Sequence, residues 1–458
     1  MANDFLVELR ELHKHKNLPT NLPALIHTDS RTLRAGQWFV PIVGANFDGH
    51  TYIAEVIQKG ALGFFYNQDR THLVPLALLS LGIAVEDTTR ALQELAKSWR
   101  LSQNQLKVVG ITGSSGKTTL KELSSLMLSE IGSTLKTEGS LNNELGVPLT
   151  LCRLNKEHKF AVIEMGARHI GDIGFLSQFV CQDIGVLANV GTAHVGEFGG
   201  VENILKAKME ISQAQTCIYL RDDERIHKAM SLLPGKTLIS FGQHPESDVR
   251  WLDTSFLGTG DIHLRFLIRG QELEGTFPYF HDSFPINVAC SLAIGLGLQI
   301  DLNLALKGLQ RFAGLKGRFQ VHRLQDLILI DDAYNANPHS MLSGLETLRK
   351  AYSAKSKTII LGDMNELGES SEQSHRDIGR YCALHFSSDR LITIGKQAEW
   401  IADQALRDGM KAQQISTYPQ VESFLSHLQQ QVEGTQLLYV KASNSLKLNK
   451  IIETILSR

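Results

Sequence analysis

Apolar residues along this chain fall into short β-branched runs, separated by stretches in which they recur every three or four positions. That pattern predicts strands alternating with helices. In the first hundred residues the runs are Ala24-Leu-Ile-His27, Gln37-Trp-Phe-Val40, Leu62-Gly-Phe-Phe-Tyr66 and Ile83-Ala-Val85, and a helix from Thr89 to Arg100 closes the set. A new run at Val108 to Ile111 breaks into a Gly/Ser-rich turn. Leu120, Leu123, Met127 and Ile131 then share one helical side, and buried strands follow at Phe160 to Glu164 and Ile184 to Asn189. Between about 245 and 280 the period drops to two around a turn at Gly270, which predicts an antiparallel hairpin. Helices from Ile286 to Leu298 and on through Phe312 come next. From 316 onward, strands at Leu327 to Ile330, Thr358 to Leu361, Leu391 to Ile394 and Leu437 to Val440 alternate with helices near 339–353, 372–386, 396–408 and 418–432. The expected architecture is α/β in three domains, 1–102, 103–315 and 316–458, the last doubly wound.

Charge narrows the function. With 46 basic and 48 acidic residues the net charge is −2, and no Lys/Arg-rich run stands out, so neither nucleic acid nor an anionic membrane is an expected partner. Small molecules are. Five scattered cysteines without a Cys-x-x-Cys pair read as reduced core thiols of a cytoplasmic protein. The longest apolar stretch, Leu73 to Val85, is short and carries Pro75 and Gly82, so no export or membrane-spanning segment is expected.

Candidate chemistry centres on Thr112-Gly-Ser-Ser-Gly-Lys-Thr-Thr119. Strand, Gly-rich turn and helix in that order aim backbone N–H groups at an anion. Lys117 adds a mobile charge and Thr118 a hydroxyl for Mg²⁺. The spacing departs from the common phosphate loop at Ile111, where a Gly is usual, and the bland alternative is a turn that binds nothing. Glu164 and His194 follow strand ends, where ligands of open α/β sheets collect. A carboxylate there suits Mg²⁺, whereas a lone loop histidine is more often structural. Lys208 falls on the apolar face formed by 201, 204, 205 and 211, a costly position for a charge. It either snorkels out or is functional, and desolvation would open its amine to modification. The clusters Thr28 to Arg31 and Gly44 to His50 read equally as turn chemistry or ligand loops. Asp331 to Pro338 and Gly362 to Gly368 follow strand ends and are candidate ligand loops by the same crevice rule, and the first also suits a helix cap and turn.

Taken together, Thr112 to Thr119, Asn142-Asn-Glu-Leu-Gly-Val-Pro148, Glu164-Met-Gly166, Asn189-Val-Gly-Thr-Ala-His194, Ala207-Lys208, Gly317-Arg318 and Asp332-Ala-Tyr-Asn-Ala-Asn-Pro338 resemble the Mur ligases of peptidoglycan synthesis. Asp331 to Pro338, Gly362-Asp-Met-Asn-Glu-Leu-Gly368 and His375 are similar to the branch that adds D-alanyl-D-alanine to a UDP-N-acetylmuramoyl-tripeptide. The resemblance implies an amino-terminal domain for the uridine nucleotide end of the substrate, a central P-loop ATPase domain with a mostly parallel sheet, and a Rossmann-like carboxyl-terminal domain. It implies ATP and two Mg²⁺ ions as cofactors, and a monomer acting on those two small substrates. Carried onto this sequence, Thr112, Gly113, Ser114, Ser115, Gly116, Lys117, Thr118 and Thr119 hold the ATP phosphates. Thr118, Glu164, His194 and a carbamylated Lys208 hold the metals, and Lys117, Glu164, His194 and Lys208 serve the reaction. Asn287, Arg318 and Asp332 match nucleotide contacts. Ser30, Arg31, Asp48, Asn142, Asn143, Asn335 and Asn337 match substrate contacts. The chain departs from the family where His-Asn-x-x-Asn is usual, since His281 and Asn287 stand six apart, and again at Ala442 and Asn449. The implied mechanism makes an acyl phosphate that the dipeptide amine captures, with the third domain closing to exclude water. Rival expectations are a Mur ligase adding one amino acid, a folylpolyglutamate synthetase, and a nucleotide-gated binding protein.

Overall fold

The computed structural model describes residues 5–12, 18–191, 198, 200–365 and 367–457, which form two compact units. The first opens with a four-stranded parallel sheet in the order β1 (Ile26–His27), β2 (Trp38–Phe39), β3 (Gly63–Asn67) and β4 (Gly82–Val85). The helix Thr88–Leu101 follows, its first turn capped by the Asp87 carboxylate, which accepts from Arg90 N–H at 2.7 Å.

The larger sheet of this unit runs β10 (Thr237–Gly242), β9 (Thr216–Leu220), β8 (Ile184–Leu187), β5 (Lys107–Thr112), β7 (Phe160–Glu164), β6 (Thr134–Lys136), all parallel. β7 and β8 are buried along their whole length, as strands covered on both faces must be, which is why they read as unbroken apolar runs. The chain winds outward from β5 to β6 and β7, then returns to the other side of β5 for β8. That reversal opens a crevice at the carboxyl ends of β5, β7 and β8. The Gly113 to Gly116 turn, Glu164 and Asn189 all lie at those ends.

The second unit holds most of the predicted hairpin, β11 (Val249–Phe256), β12 (Ile262–Ile268) and β13 (Gln271–Phe277). It also contains a six-stranded sheet in the order β14 (Gln320–Arg323), β15 (Ile328–Asp332), β19 (Leu437–Lys441), β16 (Lys357–Gly362), β17 (Arg390–Ile394), β18 (Ile415–Tyr418), parallel except for β14. Here β19 lies between β15 and β16, and the loops after these three strands form a second crevice. The helix Pro338–Ala351 packs closely over this sheet. An added Cβ at Gly344 would sit 2.0 Å from the Tyr439 hydroxyl, so only glycine allows that approach.

Candidate active site

In the first unit the turn after β5 reaches the helix Lys117–Ser129 through Gly116, whose φ of +74° lies in the left-handed region glycine supplies without cost. Asn189, at the end of β8, clasps this turn. Its amide oxygen accepts from Ser114 N–H and Ser115 N–H, both at 3.0 Å, and its amide nitrogen donates to Ser115 O at 2.9 Å. Asn189 thus fixes the shape of the turn, and the donors left for an anion are the first N–H groups of the helix that begins at Lys117, which precede its first hydrogen bond, Leu120 N–H to Gly116 O. Lys117 Nζ donates back to Gly113 O at 2.8 Å. Asn287, buried, faces Gly116, and its amide Nδ2 has no hydrogen-bond partner among the described residues. The Thr112 hydroxyl is likewise buried without one among those residues. An orphaned buried donor costs about 1–3 kcal/mol, so Asn287 fits a position completed by a ligand.

Glu164 ends β7 with 2 % exposure, and both of its oxygens are held. Thr118 Oγ1 donates to Oε2 at 3.1 Å and Asn142 Nδ2 to Oε1 at 2.9 Å, while Glu164 N–H donates to Thr137 Oγ1 at 3.0 Å. Thr118 and Glu164 thus form a pair of hard oxygen donors at the phosphate turn, and this donor set fits Mg²⁺ bound together with a nucleotide. Among the described residues no group of three His, Cys, Asp or Glu side chains is gathered for a metal on its own. His194 lies outside the described residues.

Lys208, on the helix Val201–Met209, is buried. Burial, reinforced by the Lys117 charge, lowers its pKa to about 8. Burial also lowers Lys117 from its ordinary value, and the attraction of Glu164 only partly offsets this. Both amines line a cavity of about 710 Å³, together with Gly113, Ser114, Asn142, Asn143, Arg168, His169, Phe175 and Leu176. Sequence reasoning did not single out Arg168 or His169, which follow a strand end on a loop with no motif of its own, or Phe175, one apolar residue among others on the helix Asp172–Val180.

The amino-terminal residues form a separate group. Asp29 is held down to about 2 by the hydrogen bonds of Arg31, whose guanidinium grips it at 2.7 and 2.9 Å. Ser30 is buried, its carbonyl accepting from Lys59 Nζ at 2.8 Å. Asp48 accepts from His50 N–H at 2.9 Å and from its ring Nδ1 at 2.6 Å, and the other ring nitrogen accepts from Asn67 N–H at 3.0 Å. This His50 clasp fixes the Gly44 to His50 loop.

In the second unit the Arg318 guanidinium stacks on the Tyr334 ring, 4.6 Å from its centroid. Asp332 is more enclosed than its strand-end position suggests. It accepts from Phe319 N–H at 3.1 Å, from Tyr439 OH at 2.8 Å and from Lys441 Nζ at 2.8 Å. Lys441 also reaches Asn335 O at 3.2 Å. Asn337 caps the helix Pro338–Ala351, in a reciprocal box with Ser340. The neighbouring Asp363 loop is pinned by His375, whose Nε2 accepts from Met364 N–H at 3.0 Å, and by Asn365, which donates to Ser443 and Ser445.

Comparison with known proteins agrees with this geometry. Family models described as the Mur ligase family catalytic domain, the Mur ligase middle domain and the Mur ligase glutamate ligase domain match residues 24–100, 111–295 and 317–444. The UDP-N-acetylmuramoyl-tripeptide–D-alanyl-D-alanine ligase of Bacillus subtilis is 31 % identical over 441 residues, covering 94 % of this chain and 93 % of the relative. A crystal structure of MurF from Acinetobacter baumannii superposes with a TM-score of 0.84 at 30 % identity, covering 99 % of this chain and 98 % of that one. MurF from Thermotoga maritima in complex with ADP gives 0.75 at 27 % identity, covering 95 % and 97 %. The chain belongs to the Mur ligase family, and these full-length relatives fall in its D-alanyl-D-alanine-adding branch.

Proposed function

We propose that this chain is an ATP-dependent ligase joining D-alanyl-D-alanine to the free carboxylate of a UDP-N-acetylmuramoyl-tripeptide, in the making of a peptidoglycan precursor. One observation carries the reading: the phosphate turn, Lys117 and Lys208 open onto the same cavity as Asn142 and Asn143. Phosphoryl donor and peptide acceptor can share that space. A carboxylate is a poor acyl donor, so the γ-phosphoryl group of ATP moves onto it first and forms an acyl phosphate. The dipeptide amine then attacks the carbonyl carbon, the C–N bond forms, and phosphate departs with the C–O electron pair while the amine loses a proton.

In this reading Gly113 to Thr119 cradle the phosphates, with Lys117 neutralising the transferring group. Asn287 takes the nucleotide at the helix start. Thr118 and Glu164 hold Mg²⁺, which when bound draws charge from the phosphoryl oxygens. His194 belongs to the same metal set. Ser30, Arg31 and Asp48 bind the uridine end, Asn142 and Asn143 the peptide. Arg318 and Asp332 serve the nucleotide, and Asn335 and Asn337 the substrate. Lys208 is carbamylated, its neutral amine attacking CO₂ with loss of a proton, and the new carboxylate would hold a second Mg²⁺. At neutral pH a pKa of about 8 leaves roughly a tenth of the amine unprotonated and reactive. The domains divide near 102 and 315, and the enzyme works as a monomer in the cytoplasm. Among the described residues no helix is long and apolar enough to cross a membrane.

Incubation with ATP, the UDP-linked tripeptide and either D-alanyl-D-alanine or single amino acids, followed by weighing of the product, tests the reading. A product heavier by the dipeptide is expected. Single-residue addition would move the chain to another branch, and ATP hydrolysis without an amide product would make it a nucleotide-gated binding protein.

A further inference from the structure

Lys121 is a cation that neither the phosphate turn nor the resemblance assigns. It sits four residues after Lys117 on the helix Lys117–Ser129 and is 1 % exposed, the environment in which a lysine is least often found unless its charge is matched. Its ammonium stands 3.4 Å from Glu122 Oε1 and 4.0 Å from Glu164 Oε2, and donates to Gly139 O at 3.3 Å. Glu122 pairs in turn with Lys136. Four charges of alternating sign therefore run inward from the half-exposed Lys136 through Glu122 and Lys121 to Glu164. At 4.0 Å Lys121 balances the Glu164 charge without taking the place of the shorter donors, Thr118 and Asn142.

The segment from Thr137 to Asn143 is fastened to the same group. Thr137 accepts from Glu164 N–H, Gly139 O accepts from Lys121, and Asn142 donates to Glu164 with its side chain while its carbonyl accepts from Gly166 N–H at 2.8 Å. Asn142 and Asn143 line the cavity. We propose that Lys121 is a positioning residue for the ligation, locking the Glu164 carboxylate and the 137–143 segment together so that its asparagines are already set for the tripeptide. This rests on the ligase reading above, which the wild-type product assay tests separately.

Lys121→Met keeps an unbranched side chain of similar length and removes the charge. The dissociation constant of the UDP-linked tripeptide, measured by calorimetry without ATP, should rise at least about tenfold. Its KM should rise in parallel, while the KM for D-alanyl-D-alanine stays within about twofold. A general loss of structure would move both. The double variant Lys121→Met/Glu122→Gln also removes the carboxylate that the single change strands, and it decides the matter if the single variant does not fold. Retention of the tripeptide defect in the double variant is the expected result. Wild-type tripeptide binding in the single variant, or recovery of it in the double variant, would overturn the proposal, because Lys121 would then serve only to neutralise Glu122.

Discussion

At the scale of single residues, the site works by placing charges where water is scarce. Lys117 and Lys208 are both pushed below their ordinary pKa by burial, and each is held in a cavity wall that an anionic ligand would complete. Replacing Lys117 with Ala removes the charge meant for the transferring phosphoryl group, so ligation should fall by about a thousandfold or more in a steady-state product assay. Lys441 presents a structural counterpart. It and Asp332 are both buried and bonded at 2.8 Å, and taking away one partner of such a pair leaves an uncompensated charge. Lys441→Met is therefore expected to destabilise the protein by about 3–5 kcal/mol in urea unfolding. The exposed Arg31–Asp29 pair has the shorter contact of 2.7 Å, yet solvent screens it and such pairs contribute little. Burial, rather than distance, decides which pair matters.

Among the secondary-structure elements, close backbone approach and one histidine set the second unit's loops. Gly344→Ala would push the Tyr439 hydroxyl off Asp332, and an overpacked core of this kind should lose about 1–3 kcal/mol, read as a lower melting temperature. His375 is buried, with Nδ1 donating to Ser371 O at 2.7 Å, so its Nε2 accepts from Met364 only while the ring is neutral. Burial lowers its pKa in the folded state. The folded protein therefore resists a proton that the unfolded chain takes up near pH 6.5. Stability is full above that value and declines as pH falls below it. His375→Gln should flatten part of this decline in denaturation curves taken between about pH 5 and 7. His27, His158 and His281 are shifted in the same direction and add to the decline.

Over the whole molecule, the sequence revealed the elements that carry long periodic runs and concealed those that depend on distant partners. β7 and β16 are legible because strands buried on both faces are apolar throughout. The helix that begins at Pro338 announces itself by Asn337-Pro338. β6 and β18 carry only three and four residues and owe their existence to β7 and β17 beside them, which no local window contains. The phosphate turn, Glu164 and Lys208 were visible as chemistry set against its context. Lys121 was not, because one lysine among the polar positions of an amphipathic helix looks solvated until the 137–143 segment covers it. Nor were the partners of Asp332, since Phe319, Tyr439 and Lys441 reach it from three separate segments of the chain. Family membership then joined residues that spacing alone left as alternatives.

In the proposed reaction the outermost phosphoryl group of ATP passes to the tripeptide carboxylate before the amide forms. Labelling that carboxylate with heavy oxygen and weighing the inorganic phosphate released during ligation tests it directly. One labelled oxygen should appear in the phosphate, carried across when the acyl phosphate is broken by the amine. Phosphate that stays unlabelled while amide product accumulates would rule out an acyl phosphate on the path to the amide.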